Sequence, residues 1–167
     1  MNKRSSIILE NVNLRISNKL FFDNFSTTFS NNGLSVILGP NGSGKTLLTK
    51  IINGIIKIDS GNILFNKNNS KIGYSPQKII FLRRNVFENL SYPLKIKGYD
   101  NNQITKKINF LLKKFNIYEK KYVSARNLSG GLAQYVSFIR SIILKPDILI
   151  LDEPCSNLDN DLKKNIE

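Results

Sequence analysis

Residues Gly39 to Thr46 read GPNGSGKT, which matches the pattern G-x-x-x-x-G-K-[ST]. The spacing suits phosphate chemistry. Glycines let successive backbone N–H groups turn inward around phosphate oxygens, and a helix that starts there adds partial positive charge. Lys45 is placed to reach the β- and γ-phosphates of a nucleotide, and the Thr46 hydroxyl is suited to Mg²⁺. The expected nucleotide contacts are therefore Gly39, Pro40, Asn41, Gly42, Ser43, Gly44, Lys45, Thr46 and Leu47. A second candidate is the acid pair that closes the apolar run ILIL. Open α/β sheets bind their ligands beyond the carboxyl ends of the strands. There Asp152 can hold Mg²⁺ through water, and Glu153 can orient or deprotonate an attacking water.

These residues need elements to place them. LSVIL, directly before the glycine loop, reads as a short strand covered on both faces. After the loop, TLLTKIINGI puts Leu47, Leu48, Ile51 and Ile52 on one helical face and stops at Gly54. Upstream, SIILENVNLRI and LFFDNFSTTF read as strands joined by a polar turn, Ser17-Asn18-Lys19, an antiparallel opening. NILFNKNNSKIGYS reads as a strand, a polar loop and a second strand. In NNQITKKINFLLKKFNIY the apolar Ile104, Ile108, Leu111, Leu112 and Phe115 share a face opposite lysines, so this is an amphipathic helix packed on its own domain. Finally, LSGGLAQ leads into LAQYVSFIRSIIL, a further helix start with exposed amides and so a second place for an anion.

Composition limits the classes. A chain of 167 residues fits one domain and buries roughly 70% of its unfolded surface. The formal net charge of +13 permits anionic partners, but lysines spread along the chain read as a solvated surface. With no His and the single Cys155, an internal disulfide and Cys or His metal sites are excluded, which leaves a hard cation on oxygen ligands. No run approaches the ~20 apolar residues of a membrane-spanning helix. The expectation is a cytoplasmic protein that meets a membrane only through a partner.

Taken together, the motifs resemble those of the ATP-binding-cassette (ABC) ATPases. GPNGSGKT is similar to their Walker A loop, YSPQ ending at Gln77 to the Q-loop, LSGG to the signature, ILILDEP to Walker B, and SNLD ending at Asp159 to the D-loop. The resemblance implies an α/β P-loop NTPase fold: an ABC ATPase core with an N-terminal antiparallel β subdomain and a helical signature subdomain. It divides a single domain, 1–167, into a β subdomain with the Walker A part of the core (1–80), a helical subdomain (81–137), and the Walker B and D-loop part (138–167).

It also implies a mechanism. Two cassettes close head to tail, so that ATP on Lys45 of one subunit meets Ser129, Gly130 and Gly131 of the other, with Asp159 at the same interface. Gln77 would be a catalytic and metal residue beside Glu153, and Mg²⁺ would fall to Thr46, Gln77 and Asp152. The cofactors implied are ATP and Mg²⁺. The partners are a second ATPase subunit and membrane permease subunits docking on residues 77–98, with no nucleic acid. The stretch from Phe81 to Gly98 is similar to importer cassettes, including those for tungstate or molybdate. Two alternatives stay open from sequence: a nucleotide-binding module without turnover, and a soluble ABC ATPase acting on nucleic acid or ribosomes.

Departures from the family pattern are equally specific. Leu132 stands where Gln or Glu is usual and Tyr135 where Arg often follows. Ile16 falls near the usual adenine-stacking aromatic, with Phe21 and Phe22 expected to pack in their strand, and Cys155 is read as a small spacer. The family pattern continues past the D-loop into another strand, a switch histidine and further strands. The sequence contains none of these, so the final strands and switch-histidine region are expected to be absent, leaving a gap between the Walker A and Walker B strands.

Overall fold

The structure is a computed structural model that describes residues 6–30, 33–66 and 70–154. It divides at Ile72/Gly73 into two compact units.

The first unit is led by a β-hairpin. Strand β1 (Ile7–Ile16) pairs antiparallel with β2 (Lys19–Phe29) on one side and with β3 (Ser60–Phe65) on the other, giving the sheet order β2-β1-β3. Ser17 and Asn18 both have positive φ, 48° and 62°, so a two-residue turn joins Ile16 to Lys19 and matches the right-handed strand twist. The buried residues of β1 are Ile7, Leu9, Val12 and Leu14. Simple alternation would place the first two and the last two on opposite faces. An irregularity between Leu9 and Val12, with Asn11 at φ 48°, shifts the phase so that all four are buried. On β3, Gly61 permits the close approach, since a Cβ there would lie 2.4 Å from the Asn11 carbonyl oxygen, and its φ is +93°. Helix α1 (Lys45–Ile52) buries Leu48, Ile51 and Ile52 and stops before Gly54 at φ +69°. Leu47 is half-buried.

One predicted element is corrected. LSVIL forms no strand: Leu34 is 89% exposed, Val36 66% and Leu38 87%. A strand is held by a ladder to a neighbour, and among the described residues the two sheets, β2-β1-β3 and β4-β5, leave this run without one. Phe21 is a second correction. Phe22 packs against Phe25 with ring centroids 5.2 Å apart, whereas Phe21 lies on the alternate, open face beneath the Lys19 ammonium.

The second unit is mainly helical. Strand β4 (Ile72–Ser75), begun at the unit boundary, pairs with β5 (Ile148–Leu151), and between them run α2 (Val86–Ile96), α3 (Asn101–Lys114) and α4 (Gly130–Ile142). Asn85 and Asp100 cap α2 and α3 through reciprocal capping boxes with Glu88 and Gln103. Helix α3 stops earlier than its periodicity allows because Asn116 takes φ 55°. The core joins Val86, Leu90 and Leu94 of α2, Ile104, Ile108 and Leu112 of α3, and Tyr135, Val136 and Ile139 of α4. No helix among the described residues is long and apolar enough to cross a membrane.

Candidate nucleotide site

In the first unit the glycine loop opens α1. Gly42 and Gly44 take φ of +81° and +94°, which carry the chain into the helix, and the Ser43 N–H donates to the Pro40 carbonyl at 3.2 Å. Phe22 lies under the loop, 3.5 Å from where a Gly44 Cβ would stand. Lys45 is the first residue of α1, and its ammonium folds back to donate to the carbonyls of Gly39 at 2.8 Å and Pro40 at 2.9 Å. Gly39 to Lys45 thus form a closed curl around a positive charge. Thr46 and Leu47 follow in the first turn of α1, which has no acidic side chain in that turn and no side-chain cap. The loop accordingly combines a lysine charge with a positive helix terminus.

In the second unit the polar residues converge on Glu153. The Gln77 side-chain amide donates to the Glu153 carboxylate at 2.7 Å. The Gln134 side-chain amide, from α4, donates to the Glu153 main-chain carbonyl. Glu153 itself has φ 52°, a left-handed backbone. Asp152 is buried at the end of β5, and its N–H donates to the Ser75 carbonyl at 3.0 Å. The Q-loop and Walker B residues expected from sequence, Gln77, Asp152 and Glu153, therefore meet in one unit.

Ser129 caps α4 by accepting from the Leu132 N–H at 3.4 Å; Ser129 and Gly130 are exposed and Gly131 is buried. Asp159 and Cys155 lie outside the described residues. Tyr135 is a core residue, packed edge-on against Phe115 with centroids 5.5 Å apart, and burial raises its hydroxyl pKa. Ile16 is 38% exposed near the hairpin turn.

Two polar residues escaped the sequence reading. Gln134 sits within LSGGLAQ, where the motif masks it. Arg140 donates to the Ile80 carbonyl at 3.0 Å and covers the Phe81 ring at 5.1 Å, with burial lowering its pKa. The available signal was polarity out of place: Gln134, Ser137, Arg140 and Ser141 interrupt an otherwise apolar helix.

The family model described as ABC transporter matches residues 22–156, which hold the glycine loop, the Q-loop, the signature and the Walker B acids. The chain belongs to the ABC transporter family. Its ABC relatives include the tungstate uptake system ATP-binding protein TupC of Peptoclostridium acidaminophilum, 35% identical over 96% of this chain and 78% of that protein. Another is the molybdate/tungstate import ATP-binding protein WtpC of Methanocaldococcus jannaschii, 39% identical over 78% of this chain but 47% of that protein. Among solved structures, a bacterial Atm1-family ABC exporter with ATP bound superposes with a TM-score of 0.84 at 20% identity, covering 99% of this chain and 32% of that one. The fold is the ABC ATPase P-loop fold, with an antiparallel β subdomain and a helical part, in a family that hydrolyses ATP.

Proposed function

We propose that this chain is the ATP-binding subunit of an importer, in which ATP binding and hydrolysis drive solute movement through membrane permease subunits. The observation that carries the reading is the Lys45 ammonium curled onto the Gly39 and Pro40 carbonyls at the start of α1. Those carbonyls hold a cation that incoming phosphate oxygens can take over, so the loop fits the nucleotide on its donor chemistry. Thr46, Asp152 and Gln77 offer the oxygen ligands that suit Mg²⁺. Bound Mg-ATP would supply a γ-phosphoryl group with its charge neutralised. Glu153, in reach of Gln77, would orient water at that group.

The wider assembly follows from the family and the relatives. Residues 1–167 are one ATP-binding domain whose signature residues Ser129, Gly130 and Gly131 serve the nucleotide of a second copy, with Asp159 at the same contact. Residues 77–98 receive the permease, which fits the exposed Tyr92 and Ile96 on α2. The chain works at the cytoplasmic face of the membrane, held there by that partner and not by nucleic acid. Relatives named for tungstate and molybdate favour an oxyanion as the solute.

A second reading, ATP binding without turnover, is favoured by the exposed run Leu34 to Leu38, which leads straight into the glycine loop. Phosphate release from Mg-ATP decides between them. Under the first reading the wild type turns over and Glu153→Gln suppresses it by at least ~100-fold while ATP affinity holds. Equal rates in the two proteins would remove Glu153 from the reaction, and no release from a folded wild type would leave the second reading.

A further inference from the structure

We propose that Gln134 is a positioning residue for Glu153: it holds the turn after β5 so that the Glu153 carboxylate stays within reach of Gln77. The inference rests on the reading of Glu153 as the residue that orients water.

The backbone at Glu153 requires a restraint. Its φ of 52° lies in the left-handed region, which is unfavourable for a side-chain-bearing residue and persists only where surrounding contacts hold it. Two contacts are in place. The Asp152 N–H is fixed to the Ser75 carbonyl at 3.0 Å on one side of the turn. On the other, the Glu153 carbonyl accepts from the Gln134 side-chain amide. Gln134 is only 2% exposed, so this amide has little water to turn to. Losing the Gln134 donor would remove the restraint on the carbonyl side of the Glu153 turn.

Gln134 is also part of a larger seam. Ser137 and Ser141 lie three and seven positions further along α4, on the same face. The Ser137 hydroxyl is 3.3 Å from that of Ser75, and a Cβ on Gly73 would stand 2.3 Å from the Ser141 carbonyl oxygen. One face of α4 thus grips both the strand that leads to Gln77 and the turn that carries Glu153. The same helix begins at the signature serine, Ser129. Release of Gln134 would let the turn relax, and the 2.7 Å bond between Gln77 and Glu153 would be the first to open.

The test is nuclear magnetic resonance on the whole 167-residue chain, following the Gln77 side-chain amide signal, assigned by its loss in Gln77→Met. Glu153→Ala marks where the signal falls when its acceptor is removed. In Gln134→Met, which keeps the length and loses the donor, the Gln77 signal is expected to move at least half-way to that position, with the amides of α2 and α3 unmoved. Gln134→Leu, of similar size and without a donor, is expected to do the same and serves if the methionine variant does not fold. A Gln77 signal unchanged in a folded variant overturns the proposal. Where turnover is measurable, kcat should fall roughly 10- to 100-fold with the KM for ATP unchanged, as expected of a misplaced catalytic group. A raised KM at constant kcat also overturns it. Unchanged turnover in Glu153→Gln overturns instead the underlying role of Glu153, and leaves the spectroscopic result to stand alone.

Discussion

Lys45 carries a compact charge on a flexible stem, and its two carbonyl partners leave that charge available for exchange. Lys45→Ala should therefore weaken Mg-ATP binding by roughly 10- to 100-fold, the loss of one charge-assisted contact of about 1.5–3 kcal/mol. Titration with a fluorescent ATP analogue would show it, and unchanged affinity would sink the phosphate-loop assignment. Glu153 differs in kind, because its carboxylate accepts from Gln77 and its carbonyl from Gln134 while its backbone is left-handed. Tyr135 illustrates the limit of reading single positions. It departs from the family pattern beside the signature, yet its ring is fully buried against Phe115.

At the scale of elements, the β1–β3 contact depends on one glycine. Gly61 combines φ +93° with backbone closer than any Cβ allows, 2.4 Å to the Asn11 carbonyl oxygen. Gly61→Ala should cost on the order of 2–4 kcal/mol through strain and the displaced strand, visible as a lower denaturation midpoint at unchanged m-value. A shift smaller than ~0.5 kcal/mol would show that the irregularity at Asn11 relaxes freely. The hairpin, α1 and α3 were legible beforehand because turn chemistry and period act locally: Ser17-Asn18 turns the chain, and Ile104, Ile108 and Leu112 recur on one face. LSVIL was not legible. Its apolar run states a preference for burial, but a strand also requires a neighbour, which five residues cannot specify.

At the scale of the whole molecule, the proposed head-to-tail pair makes a mass prediction. Glu153→Gln with Mg-ATP should run at twice the monomer mass in light scattering and return to 19.0 kDa without nucleotide. Adding Ser129→Arg should prevent the doubling, since Ser129 is exposed at the start of α4 and a bulky cation there would block a partner's phosphates. Doubling that persists in the Ser129→Arg protein would place the dimer contact elsewhere. The two units also differ in how they bury their cores: the first relies on a phase-shifted sheet, the second on three helices.

By itself, the sequence determined the chemistry. The order Gly39 to Thr46, Gln77, Ser129 to Gly131, then Asp152 and Glu153 is the basis on which phosphate-binding and water-handling roles are proposed, because each motif is a short local pattern whose spacing is its geometry. The tertiary structure alone decided what holds those groups. Gln77 and Glu153 are 76 residues apart yet share a hydrogen bond, and Gln134 reaches the same turn from a helix. Such contacts arise from packing across the chain, and packing follows from the summed burial of many side chains, none of which announces its neighbour in the sequence.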